Sequence, residues 1–395
     1  MPISFDNTAQ AFQYKNIKEL TLSKWMFIML RSNFFNKIGG WLLINLLRIK
    51  LPISWIVKAT IYKQFVGGEN LEQADKTAQK IFQYQVFSML DYGKEANEKE
   101  ESFEETTEKF ITSIKFAHNK EYFPFICIKI SGLASTKLLL AMNDSPRLRS
   151  GIHEHENLIS AWEIVKDRVF RIVSAAAEHN MGVLIDAEET WIQDPIDRLA
   201  IELMTVFNTK KAVVYNTYQL YLKDRLDFFL MNHKSISQKK GFILGAKLVR
   251  GAYMEKERAQ ASSKNYPCPV QINKEQTDLA FNNAVLYALQ NVNSIHTIIA
   301  THNEESCLKA TEVMSQYKIL EKDPRIFFSQ LYGMSDNISF VLAKAGYNVA
   351  KYLPYGSVSE VIPYLMRRAN ENSSISKQSQ RELDLIKSEL HKRKH

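Results

Sequence analysis

From residue 84 onward, short apolar runs recur along the chain, each closing on a polar cluster and each followed by a stretch of helical period. They are YQVFSMLDYG, FICIKISG, GVLIDAEET, AVVYNTYQ, ILGAKLVRGAY, TIIATHN, RIFFSQLYG and VAKYLPYG. Their apolar positions are continuous rather than alternating, which suits strands covered on both faces. Eight strand candidates separated by helix-length segments predict an α/β fold, a parallel sheet closed into a (βα)8 TIM-type barrel.

The flanks read differently. Residues 20–66 are rich in Trp, Leu, Ile and Phe, broken by Lys24, Arg31, Lys37, Arg48, Lys50, Lys58 and Lys63. This is a basic amphipathic helical region, suited to packing on the main domain or to lying at a membrane surface. The stretch from Met142 to Asn157 (MNDSPRLRSGIHEHEN) reads as a charged surface excursion. Its His153, Glu154 and His155 read as solvated, so no metal site is expected. After Asn372 the chain turns polar; Leu383, Ile386 and Leu390 allow a short helix with solvated last residues. The expected organisation is an N-terminal helical region (1–66), the barrel (67–375) and a polar tail (376–395).

Composition narrows the class. The chain has 395 residues, 45% apolar and 24% charged, as in an ordinary globular protein. Lys and Arg exceed Asp and Glu by 51 − 43 = 8. That excess admits an anionic membrane surface or nucleic acid; no motif supports nucleic acid, which is therefore not an expected partner. Cys127, Cys268 and Cys307 form no CxxC or Cys/His spacing, as expected of a reducing compartment. The N-terminus resembles neither a signal nor a transit peptide, and no apolar run reaches the ~18 residues of a membrane span. The expected location is cytoplasmic, with peripheral contact at the inner face of the membrane.

Candidate chemistry gathers where a parallel barrel keeps it, at the strands' C-terminal ends. Lys129 ends the second strand, Asp186, Glu188 and Glu189 the third, Asn216 and Gln219 the fourth. Lys247 and Arg250 end the fifth, Thr301, His302 and Asn303 the sixth, Tyr352 the eighth. Three cations against few acids point to an anionic ligand, because buried cations need anionic partners. Neither GxGxxG nor a P-loop is present, which disfavours a Rossmann site and a P-loop NTPase. Beyond Tyr352, the adjacent Arg367 and Arg368 lie about 100° apart around a helix. If that helix crosses the barrel mouth, both guanidinium forks reach one carboxylate.

These residues resemble proline dehydrogenases. KLVRGAYMEKER (247–258), IDAEET (185–190), NTYQLYLKD (216–224), ATHN (300–303) and the stretch 333–372 carry the likeness, in order, over roughly residues 60 to 375. The NTYQ and KLVRGAY forms are closest to the stand-alone, eukaryotic-like branch, and the first 50 residues carry little of the likeness. The resemblance implies a distorted (βα)8 barrel with its last helix over the mouth, extra N-terminal helices and bound FAD. It implies oxidation of L-proline to Δ1-pyrroline-5-carboxylate by hydride transfer from proline C5 to flavin N5, with electrons passed to a membrane quinone. It also implies a possible separate pyrroline-5-carboxylate dehydrogenase as partner.

Carried over by position, Asp186 and Lys247 sit at the catalytic centre, and Lys129, Arg367 and Arg368 take the substrate carboxylate. Tyr253, Leu331 and Tyr352 wall the proline ring. Ala187, Asn216, Lys247, Arg250, Gly251, Ala252, Thr301 and His302 contact the flavin. Glu95 pairs with Arg367 as a gate. Lys247 departs from the Arg common in bacterial members, keeping the charge and losing the fork. The same chemistry on 4-hydroxyproline is the alternative, against which the bulk of Tyr352 argues; a non-catalytic membrane-bound scaffold is the other.

Overall fold

The computed structural model describes residues 3–30, 57–93, 100–144, 152–374 and 376–394. Its eight strands are β1 (Val86–Tyr92), β2 (Phe125–Ile128), β3 (Gly182–Ile185), β4 (Val214–Gln219), β5 (Leu244–Val249), β6 (Ile295–Ala300), β7 (Ile326–Leu331) and β8 (Val349–Tyr355). They close into a barrel in sequence order. The pairings are parallel; Val86 faces Val349 through to Tyr92 facing Tyr355, and Thr217 faces Lys247. Every strand candidate of the sequence is a strand of the barrel. Most strand residues are buried, as expected of a sheet with side chains filling the inside and helices covering the outside.

The helices, in chain order, begin with α1 (Thr8–Ala11), α2 (Ile17–Leu30), α3 (Leu71–Phe82), α4 (Glu100–Ala117) and α5 (Thr136–Asp144). Next come α6 (Ile152–Glu178), α7 (Thr190–Phe207), α8 (Arg225–Met231), α9 (Met254–Lys264) and α10 (Lys274–Gln290). The last are α11 (Glu304–Gln316), α12 (Asp336–Lys344), α13 (Val358–Ser374) and α14 (Ser376–Lys392). Their starts are written locally. Asn70 and Asn273 cap α3 and α10 by accepting the N–H of Gln73 and Gln276, with Glu72 and Glu275 in the first turns.

The chain divides into two compact units, residues 1–93, 302–304 and 328–395 forming the first, and 94–301 with 305–327 the second. In the first, Ala11, Phe12, Leu20 and Phe27 pack with Leu383, Leu385, Ile386 and Leu390. The chain's two ends thus share one apolar cluster.

One local expectation changes and another gains detail. The surface excursion from Met142 to Asn157 is helical in part: α5 runs to Asp144, α6 starts at Ile152, and residues 145–151 lie outside the described ones. Val165, Val169, Ile172, Val173 and Ala176 are buried at helical spacing, and that stripe extends the helix back through HEHEN. The helix expected on Leu383, Ile386 and Leu390 is α14, with those three buried and His391, Lys392 and Lys394 exposed. Ser379, Glu382 and Glu389 are buried among its leucines, so a stripe that looked broken in sequence is continuous in space. Glu389 is paired with Arg393 at 2.7 Å.

Of the basic N-terminal region, α2 buries Leu20 and Phe27 and exposes Ile17, Trp25, Ile28 and Met29; residues 31–56 lie outside the described ones. Among the described residues, no helix is long and apolar enough to cross a membrane, and no cluster of His, Cys, Asp or Glu could hold a metal ion.

Candidate active site

In the second unit, one carboxylate serves two ammonium groups. Asp186, directly after β3, accepts from the Lys247 amine of β5 at 2.5 Å through Oδ1. Its Oδ2 lies 3.7 Å from the amine of Lys129, directly after β2. All three are largely buried. Burial pulls the Lys247 ammonium down, but Asp186 outweighs it and leaves its pKa above the ordinary lysine value. Buried ammonium groups need anionic partners, and Asp186 serves both.

Glu188 closes the same corner. Its Oε1 accepts the Ser131 N–H at 2.9 Å, tying the loop of Lys129 to the loop of Asp186. Burial pushes its carboxyl up to about 7, against the hydrogen bonding of Ser131. The backbone beside it is fixed as well: Gln193 accepts its N–H, and Gln219 donates to its carbonyl at 2.8 Å. The sequence placed Glu188 at the third strand's end; that it bridges two loops is a property of the folded chain.

Arg250, after β5, is held on every side. Its Nε donates to Asp278 at 2.7 Å, Nη1 to Thr301 Oγ1 at 2.5 Å and Nη2 to Ser306 at 2.9 Å, and the guanidinium lies over Phe281. Gly251 follows at φ +127°, and a Cβ there would stand 1.7 Å from the Tyr221 ring. Only glycine fits. The Tyr221 hydroxyl is buried and has no hydrogen-bond partner among the described residues. Gly251 and Ala252 are exposed, Ala187 is buried after Asp186, and Tyr253 lies buried under the Lys256 amine.

Asn216 is turned to a structural neighbour. Its amide donates to Asp197 of α7 at 2.8 Å, and the same carboxylate takes Gln193 and Arg225. Successive strand residues face opposite sides, so Asn216 looks to the helix layer while Thr217 bonds the Ile185 carbonyl. A sequence match shows position along the strand; only the pleat shows the side.

In the first unit, His302 follows β6 and its Nδ1 lies 2.9 Å from Ser335 Oγ. Leu331 ends β7. Tyr352 of β8 is buried and stacks on Tyr364 of α13, with centroids 6.4 Å apart. Tyr92 of β1 donates to Glu360 in the first turn of α13. These contacts bring the first turns of α13 to the C-terminal ends of β1 and β8. Arg367 lies half-buried on α13; the side chain of Arg368 and all of Glu95 lie outside the described residues.

The donor set fits a large group carrying both anionic and hydrogen-bonding atoms. Two ammonium groups meet Asp186 with Glu188 in the same corner, a buried tyrosine hydroxyl stands without a partner among the described residues, and a side-chain-free turn lies beside it. Burying such a hydroxyl unpaired costs about 1–3 kcal/mol, which a bound polar group would recover.

Comparison with known proteins gives the lineage. The proline dehydrogenase family model matches residues 74–381. A mitochondrial proline dehydrogenase 1 of Dictyostelium discoideum is 31% identical over 403 residues, covering 91% of this chain and 68% of its own length. The carbapenem antibiotics biosynthesis protein CarD of Pectobacterium carotovorum is 34% identical, covering 83% of each chain, and a Xenopus laevis hydroxyproline dehydrogenase is 32% identical, covering 86% of this chain and 79% of its own. Among solved structures, proline utilization A from Bdellovibrio bacteriovorus, inactivated by N-propargylglycine, superposes with a TM-score of 0.71 at 22% identity. That match covers 93% of this chain and 38% of the larger protein, and it shows the barrel fold. With the family match spanning most of its length, this chain belongs to the proline dehydrogenase family of oxidoreductases.

Proposed function

We propose that this protein oxidises L-proline to Δ1-pyrroline-5-carboxylate with bound FAD as the hydride acceptor. The observation that carries the reading is the Asp186 carboxylate shared by Lys129 and Lys247 at the ends of neighbouring strands. FAD would supply the redox chemistry, since no side chain accepts a hydride.

The chain's own residues have three tasks. Lys129, Arg367 and Arg368 bind the amino-acid carboxylate and fix the ring in near-attack geometry. Lys247, oriented by Asp186, presents a fixed positive charge where negative charge develops on the flavin, and Arg250, Gly251, Ala252, Thr301 and His302 hold the cofactor. Ala187 backs the ring. Asn216, bonded to Asp197, supports the β4 wall. Tyr253, Leu331 and Tyr352 enclose the substrate ring and exclude water, with Glu95 as gate to Arg367.

The test is anaerobic addition of L-proline to the purified protein. Bleaching of a flavin band near ~450 nm is expected; a colourless protein, or a band untouched by proline, sinks the reading. Arg367→Met is expected to raise KM for proline at least ~10-fold while flavin stays bound.

The likeness to a hydroxyproline dehydrogenase makes 4-hydroxyproline the second substrate to weigh. Tyr352, immobilised against Tyr364, supports proline, because a fixed ring leaves little room for an added hydroxyl. The ratio of kcat/KM for the two amino acids decides. Delivery of the electrons to a membrane quinone, peripheral attachment at the inner face of the cytoplasmic membrane and transfer of product to a separate dehydrogenase complete the proposal. It draws on the exposed Trp25, Ile28 and Met29 of α2 and on the basic excess of the chain. Anionic vesicles are expected to bind better than neutral ones at low salt.

A further inference from the structure

The C-terminal helix reaches the loops that hold His302. Both carboxylate oxygens of Glu382, on α14, accept the backbone N–H of Ser335, at 2.8 and 3.0 Å. Ser335 sits at φ +51°, the left-handed region that a side chain disfavours, so its conformation has to be held from outside. The Ser335 hydroxyl is the group 2.9 Å from His302 Nδ1. Beside it, Arg381 of α14 binds Glu304 at 3.0 Å, two residues beyond His302, and Asn337 donates to the same carboxylate. Two consecutive residues of one helix therefore grip both loops. Glu382 and Ser335 are buried, and α14 is anchored independently through Leu383, Ile386 and Leu390 on α1 and α2. A buried carboxylate aimed at one strained N–H does more than cover a surface.

We infer that Glu382, with Arg381, is a positioning residue for His302: α14 clamps the loops after β6 and β7 and so fixes the imidazole that the cofactor meets. The inference rests on the reading of His302 as a flavin contact, and its test separates the two. In the full chain, stripped of flavin and titrated with FAD, Glu382→Ala is expected to raise the FAD Kd at least ~10-fold. Hydrogen exchange at the Ser335 amide is expected to accelerate in the same variant. Glu382→Gln, whose amide oxygen still accepts the N–H, is expected to stay within ~3-fold. Arg381→Ala, at a partly exposed position, is expected to weaken FAD to a smaller extent without loss of folding. Leu390→Ala is the control: it lowers Tm with the FAD Kd within ~2-fold of the parent.

Faster Ser335 exchange in Glu382→Ala with an unchanged FAD Kd overturns the inference, provided His302→Ala weakens FAD. If His302→Ala leaves the FAD Kd unchanged, the flavin assignment of His302 fails. The clamp on Ser335 then stands or falls on the exchange result alone.

Discussion

Each unit of the molecule contains an aspartate shared by two lysines, and the two clusters differ in depth. In the second unit Asp186 lies between Lys129 and Lys247, with relative exposures of 8% for Asp186 and 6% for Lys247. In the first, Asp336 lies between Lys15 at 3.0 Å and Lys351 at 2.9 Å, and exposures fall to 1% for Asp336 and 0% for Lys351. The second of these is the more deeply buried. Tyr14 donates to Asp336 at 2.7 Å, Lys351 also donates to the Met334 carbonyl at 2.5 Å, and Lys15 to Ser23. Although burial alone would raise it, the two lysines hold the Asp336 carboxyl below the usual carboxylate range. The two clusters share a composition and differ in depth.

That contrast can be broken by exchanging the effects of the two aspartates. Asp186→Asn is expected to lower kcat/KM for proline by ~100-fold or more, and to cost less stability than Asp336→Asn because Asp186 and Lys247 retain 8% and 6% exposure. Asp336→Asn is expected to do the reverse: a loss of about 3–5 kcal/mol in denaturant unfolding, because it strands a buried ammonium. Adding Lys351→Met to Asp336→Asn removes the stranded charge and is expected to restore part of that loss. Equal stability losses at the two aspartates would erase the distinction.

Next in size is the dependence on pH. Glu188 in one unit and Glu382 in the other have carboxyls pushed up to about 7, chiefly by burial. In the unfolded chain they titrate near the ordinary value of 4.5. Between these limits the native state holds more protons, so each contributes a stability loss as pH rises from 4.5 to 7, levelling above. The maximum is about 3 kcal/mol apiece. Glu188→Gln and Glu382→Gln are each expected to flatten the curve of unfolding free energy against pH, and an unchanged slope in both would count against the burial argument.

The smallest expected effect concerns the turn after β5. Gly251→Ala meets both a left-handed backbone and the Tyr221 ring. About tenfold weaker FAD retention, or ~1.4 kcal/mol, is expected. No comparable loss should follow from an alanine at Gly241, where a Cβ meets nothing within 4 Å, although its φ of +72° carries some strain.

Much of this was legible in the chain. Period and composition gave the eight strands, and the polar residues closing each run gave Asp186, Lys129, Lys247 and Arg250, because a parallel barrel puts strand ends at one functional face. Asn216 was read at the right height without its direction, which the pleat decides. The Asp336 cluster could not be read at all: Lys15, Asp336 and Lys351 are separated by hundreds of residues or sit in unremarkable contexts. Glu382 looked like one more charge on a polar tail.

By itself, the sequence determined the barrel and the identity of its strand-end residues, since both follow from local period and from the order of residues along each run. Which lysines each aspartate would meet, and how deeply each cluster would be buried, was decided only in three dimensions. Burial, the count of neighbouring donors and the closure of the two chain ends over one another are sums over distant residues, and no local pattern records a sum.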